Sequence, residues 1–67
     1  MEISLNNNRI SVKNGSTLME VMCSKQLHEK TGVAVAVNNS VVPKEKWEHT
    51  VLQQNDMLLL IGASYGG

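Results

Sequence analysis

Residues 17–22 read Thr17-Leu18-Met19-Glu20-Val21-Met22, and the fold turns on what this stretch becomes. Thr17 and Glu20 have the spacing of a capping box: the threonine hydroxyl can accept the backbone N–H of residue 20 while the glutamate reaches back to the N–H of residue 17. Behind that start signal, Leu18, Val21 and Met22 fall at i, i+3 and i+4, one face of a helix. Lys25 interrupts the stripe a turn later. The helix is expected to fade near residues 26–28, with Leu27 folding inward after its end and Gly32 closing the segment.

On either side of this helix the periodicity changes to that of strands. Upstream, Ile3 and Leu5 alternate with polar neighbours, as do Ile10 and Val12, and Asn6-Asn7-Asn8-Arg9 lies between them. Asparagine tolerates the left-handed backbone of tight turns, so the segment reads as a hairpin ended by Asn14-Gly15. Downstream, Val33 to Val37 is a β-branched and alanine run suited to a buried strand. Asn38-Asn39-Ser40 turns the chain, leaving Val41-Val42 room only for an edge pairing. Pro43 suits the first position of a short helical turn through Lys44-Glu45-Lys46-Trp47. Asn55-Asp56 is a further turn signal before the apolar run Met57-Leu58-Leu59-Leu60-Ile61. The order β-β-α-β-(short β)-turn-β packs most simply as an α+β fold, a twisted sheet with one helix on one face. The last strand follows a long excursion and can lie inside the sheet beside the first.

Composition limits what such a domain does. A 67-residue chain buries only roughly 60% of the surface its unfolded form exposes. Its single cysteine excludes an internal disulfide and points to a reducing compartment. His28 and His49 with Cys23 match no zinc spacing, so no metal is expected. Six basic and six acidic residues sum to zero formal charge, against the basic excess of nucleic-acid binders. Met1-Glu2-Ile3-Ser4 lacks the features of a signal peptide, and no apolar run approaches the ~20 residues of a membrane span. The expected location is cytoplasmic.

Three features converge: Val35-Ala36-Val37-Asn38, the run Val42-Pro43-Lys44-Glu45-Lys46-Trp47, and the terminal Gly66-Gly67. Together they resemble the ThiS family of sulfur carrier proteins of thiamin biosynthesis, over essentially the whole chain. The resemblance implies a ubiquitin-like β-grasp, a mixed four- to five-stranded sheet on one helix at 1–61 with a flexible tail at 62–67. Two positions depart from the family pattern. Lys25 stands where such helices carry another core leucine, and Tyr65 is bulkier than the family's usual tail residues.

The resemblance also implies a chemistry for Gly67. A carboxylate is a poor acyl donor, and adenylation of the terminus with ATP makes it a good one. A persulfide sulfur then displaces AMP and leaves a thiocarboxylate. Gly66 and Gly67, lacking Cβ, allow the tail to thread a narrow cleft. The implied partners are an E1-like adenylyltransferase of the ThiF type, a thiazole synthase of the ThiG type and a sulfur donor such as a cysteine desulfurase. ATP and the sulfur donor are consumed, no cofactor is bound, and the chain itself is expected to be a monomer and a co-substrate rather than an enzyme. The sulfur-carrying small subunit of molybdopterin synthase shares fold and diglycine and stays open as an alternative. So do a modifier conjugated to lysines and a binding module with an inert tail.

Other residues invite plainer readings. Cys23, with no neighbouring histidine, is expected to be a structural or partly buried helix cysteine rather than a relay thiol. Trp47 is the expected plug of a small core, and both histidines should be solvated. In the last strand, if Leu58 and Leu60 face the helix, then Met57, Leu59 and Ile61 face away. One helix cannot cover both faces of so small a sheet, so these three, with Tyr65, are the expected docking residues for a partner.

Overall fold

The capping box at Thr17 forms as its spacing requires. In the computed structural model, which describes residues 1–27 and 32–62, the Glu20 N–H donates to Thr17 Oγ1 (3.2 Å) and the Thr17 N–H to Glu20 Oε1 (2.8 Å). Helix α1 spans Leu18–Ser24 and buries Leu18, Val21 and Met22. It ends earlier than the apolar pattern suggests, for a local reason. Gln26 takes a left-handed φ of +59°, so its N–H bonds back to Cys23 O (3.0 Å) and that of Leu27 to Met22 O (2.8 Å). These are the two reversed bonds of a Schellman cap, and they fold Leu27 onto the core beside Met22. The inward turn of Leu27 is therefore as expected, with the helix one turn shorter. His28 lies outside the described residues.

Both hairpins close through a pair of asparagines. Strands β1 (Glu2–Leu5) and β2 (Asn8–Ser11) pair antiparallel with Leu5 opposite Asn8. The turn is thus only Asn6-Asn7, at φ +50° and +70°, and Asn8 and Arg9 belong to β2. Strands β3 (Ala34–Val37) and β4 (Ser40–Val42) repeat this through Asn38-Asn39 at φ +50° and +72°. Positive φ at both central residues is the type I′ signature, whose twist matches that of the flanking strands. β4 is three residues at the sheet edge, the short edge pairing its sequence predicts.

Strand β5 (Met57–Ile61) fills the centre of the sheet, whose order is β2-β1-β5-β3-β4. It runs parallel to β1 and antiparallel to β3. β1 is the shorter partner: its register with β5 stops at Leu5–Leu58. Beyond that point Asn6 prolongs the ladder, its N–H donating to Leu58 O (3.0 Å) and its Oδ1 accepting from the Leu60 N–H (2.9 Å). At the start of β5, Asn38 does the same from the other side. Its Oδ1 accepts from the Met57 N–H (2.9 Å) and its Nδ2 donates to Asp56 (2.9 Å).

A 3-10 helix, η1 (Lys44–His49), sets Trp47 under the sheet. Sequence spacing places Pro43 at the first helical position; it instead occupies the cap, with an extended ψ of 148°. Its carbonyl still accepts from the Lys46 N–H (2.9 Å), an i→i+3 bond that needs no N–H from proline. Trp47 is 2% exposed, and its Nε1 donates to Val42 O (3.0 Å), so burying the indole leaves no donor unpaired. Around it, Ile3, Leu5, Leu18, Val21, Met22, Val35, Leu52, Leu58 and Leu60, with Leu27, form the core, and no polar side chain is buried among the described residues. One helix on one face of a five-stranded mixed sheet is the β-grasp arrangement the sequence implies.

Two substitutions test these joints. Gln26→Gly removes the side-chain strain at the left-handed cap and is expected to stabilise the fold by about 0.5–1 kcal/mol, read as a Tm a few degrees higher. Asn6→Gly keeps the turn backbone but strands the Leu60 N–H, and should cost about 1–2 kcal/mol. Asn7→Gly, in the same turn, is its control. Amide hydrogen exchange should accelerate at Leu60 in Asn6→Gly and not in Asn7→Gly.

Candidate functional site

Because β5 is flanked on both sides, its side chains alternate between two environments without exception. Leu58 and Leu60 enter the core, while Met57, Leu59 and Ile61 are 53%, 48% and 46% exposed. The sheet face away from the helix is therefore apolar along its central strand, and the question of which half of Met57–Ile61 is core is answered by this alternation.

The register extends this surface sideways. Ala36 pairs with Leu59 on one side and with Val41 on the other, so all three share the outer face. Val41, at 63%, is the most exposed large apolar residue among those described. Sequence reasoning singled out Met57, Leu59 and Ile61 but not Val41. The missing signal was the two-residue turn, which fixes Ala36 opposite Val41. Val51 is also exposed but pairs with Thr17 at the start of the helix, apart from this face.

Polar groups border the apolar row. On β1 and β2 the same face carries Arg9, whose guanidinium donates to Glu2 Oε1 at 2.7 Å and to Asn55 Oδ1 at 3.2 Å. The hydrogen bond from Arg9, and then its charge, hold the Glu2 carboxyl below the usual carboxylate range. Between the two asparagine turns the face dips into a cavity of about 170 Å³ lined by Ser4, Asn7, Asn39, Met57, Leu58 and Leu59. The result is a central apolar strip with a neutral polar end and an ion pair at one side.

The remaining expected site residues divide cleanly. Tyr65, Gly66 and Gly67 lie outside the described residues. Gly62, the last described residue, follows β5 directly. Cys23 is exposed, not partly buried as the sequence reading had it. At about 100° per residue it lies one step past Met22 and well round from Val21, off the buried face of α1. His49 is exposed, as expected. Among the described residues no three of His, Cys, Asp and Glu gather as metal ligands, and no helix is long and apolar enough to cross a membrane.

Comparison with known proteins agrees with this architecture. The family model described as "ThiS family" matches residues 2–67. The sulfur carrier protein ThiS of Escherichia coli (strain K12) is 32% identical over 68 residues, with all of both chains covered. The crystal structure of a thiamine biosynthesis protein (ThiS) from Geobacter metallireducens superposes with a TM-score of 0.82 at 19% identity, again covering both chains fully, which establishes the shared ubiquitin-like β-grasp fold. A match spanning 2–67 and a full-length relative at this identity place the chain in the ThiS family of sulfur carriers.

Proposed function

We propose that this protein carries sulfur for thiazole formation in thiamin biosynthesis, as a thiocarboxylate on Gly67. The observation that carries the reading is the family match running to residue 67, the second glycine of the terminal pair. The uncovered apolar strip on the strand that leads to that terminus supports it. Residues 1–61 act as the handle and 62–67 as the arm that presents the reacting group.

The chemistry follows from what a carboxylate lacks. A Gly67 carboxylate oxygen attacks the α-phosphorus of ATP and pyrophosphate leaves, giving an acyl-adenylate. The terminal sulfur of a persulfide then attacks the acyl carbon, and AMP leaves with the bonding electrons. The acyl disulfide so formed is cleaved by a thiol, which is oxidised to a disulfide while the thiocarboxylate is released. The chain supplies only the terminus, so an E1-like adenylyltransferase of the ThiF type supplies the ATP site, and a thiazole synthase of the ThiG type receives the sulfur. A cysteine desulfurase suits the persulfide source. Met57, Leu59, Ile61 and Val41 give both enzymes one apolar surface to hold, with Tyr65 entering the cleft ahead of Gly66. An exposed strip of this kind on a small domain is an interaction surface by its chemistry, since water-facing leucine, methionine and isoleucine in one row are otherwise a liability.

Intact mass measured after incubation with ATP, the adenylyltransferase and a persulfide donor tests the reading directly. The expected product is heavier by the difference between sulfur and oxygen at the C-terminus; a mass that never changes would sink the proposal. Leu59→Glu should leave Tm almost unchanged, because Leu59 is half-exposed, and weaken binding of the adenylyltransferase about tenfold or more, ~1.4 kcal/mol. Val51→Glu, an equally exposed apolar position beside the helix, should bind as the unsubstituted chain does. Equal affinity for all three would remove the strip from the docking surface.

A further inference from the structure

Two glycines meet at the end of the sheet where the chain leaves it, and they are glycine for different reasons. Gly32 delivers the backbone into β3 at φ +74°, and a methyl group built on it would meet open space. Its requirement is the left-handed backbone. Gly62 has no positive φ. A methyl group on it would lie 2.5 Å from the Gly32 carbonyl oxygen and 3.2 Å from the Val33 Cα. Both are backbone atoms, with no flexible side-chain end to swing aside. The requirement at Gly62 is closeness.

β5 is held through Ile61, which pairs with Ala34 on β3. The left-handed turn at Gly32 leads directly into that pairing. The first unpaired position on the outgoing strand is Gly62, and Gly32 and Val33 stand just before the pairing on the incoming one, so a Cβ at residue 62 forces the two backbones apart where the chain leaves the sheet. Five residues, 63–67, separate that point from the terminal carboxylate. At roughly 3.5 Å per extended residue they span at most ~17 Å, so the reach of the carboxylate is measured from this exit point.

We infer that Gly62 is a positioning residue: its close approach to the Gly32–Val33 backbone sets the direction in which the terminal arm leaves the sheet, and so where Gly67 arrives when the body is docked. The inference rests on the carrier reading of Gly67. It separates two tasks along one strand. Met57, Leu59 and Ile61 govern how tightly a partner is held, whereas Gly62 governs whether the carboxylate then reaches ATP. Misplacing a reacting atom by about 1 Å can cost on the order of a hundredfold in rate.

The test compares the unsubstituted chain with Gly62→Ala in ATP–pyrophosphate exchange catalysed by a purified ThiF-type adenylyltransferase. Amide hydrogen exchange at Val35 and Leu60 fixes a temperature at which both chains are fully folded. The expected result is a kcat at least tenfold lower with KM within twofold, and amide shift changes confined to residues near 32–34 and from 61 onward. Equal kcat in two folded chains overturns the inference. So does a raised KM at unchanged kcat, which would make Gly62 part of the docking surface. Failure of Gly62→Ala to fold at any temperature overturns it too, because the contact would then serve the body alone. Absence of exchange with the unsubstituted chain would instead defeat the carrier reading, and this inference with it.

Discussion

Pairing on both edges of β5 is the constraint from which the rest of the structure follows. A strand held between a parallel and an antiparallel neighbour cannot slip by one residue without exchanging its two faces, and here the two faces have opposite fates. Leu58 and Leu60 meet Ile3, Met22 and Trp47 in the single core, while Met57, Leu59 and Ile61 are left outside. Inner and outer leucines are thus fixed by the same set of backbone hydrogen bonds. The sheet cannot lose one arrangement and keep the other.

That ladder is completed by side chains as much as by strands. β1 ends two residues before β5 needs it, and the Asn6 amide stands in for the missing backbone acceptor at Leu60. Asn38 meets the N–H of Met57 at the opposite end and ties it to Asp56. Both asparagines also adopt the positive φ of a tight turn, so one residue type reverses the chain and closes the gap the reversal creates. For a domain with no disulfide and no buried ion pair among the described residues, this economy matters. Each unpaired amide at the margin of so small a core would be a sizeable fraction of its stability.

How much of this was readable in the sequence depended on the range of the interaction concerned. The helix start was legible because Thr17 and Glu20 act on each other across three residues. The helix end was not, since its left-handed cap falls to Gln26 where glycine is the usual signal. The faces of β5 were readable as two alternatives, and choosing between them needed the neighbours. Val41 joined the outer face only once Asn38-Asn39 fixed the register of β4 against β3. The role of Gly62 was invisible for a stronger reason: its contact is with a backbone thirty positions away in the chain, and no local pattern marks an absent Cβ as the answer to a distant carbonyl. Membership of the family was legible from Val42 to Trp47, and the indole bond to the Val42 carbonyl gives that run a physical basis.

The position of Cys23 has a practical side. It is the chain's one thiol, and it is exposed on the helix that covers the inner face of the sheet. A fluorophore attached there sits on the far side of the body from Leu59 and Val41, so it can report tumbling and complex formation without occupying the apolar strip. Coupled to a surface through the same sulfur, the protein would be displayed with that strip turned outward and its C-terminus unmodified. Oxidation of two chains through this atom would join them back to back, producing a dimer with two outward-facing apolar sheets, an object far more prone to associate than either half.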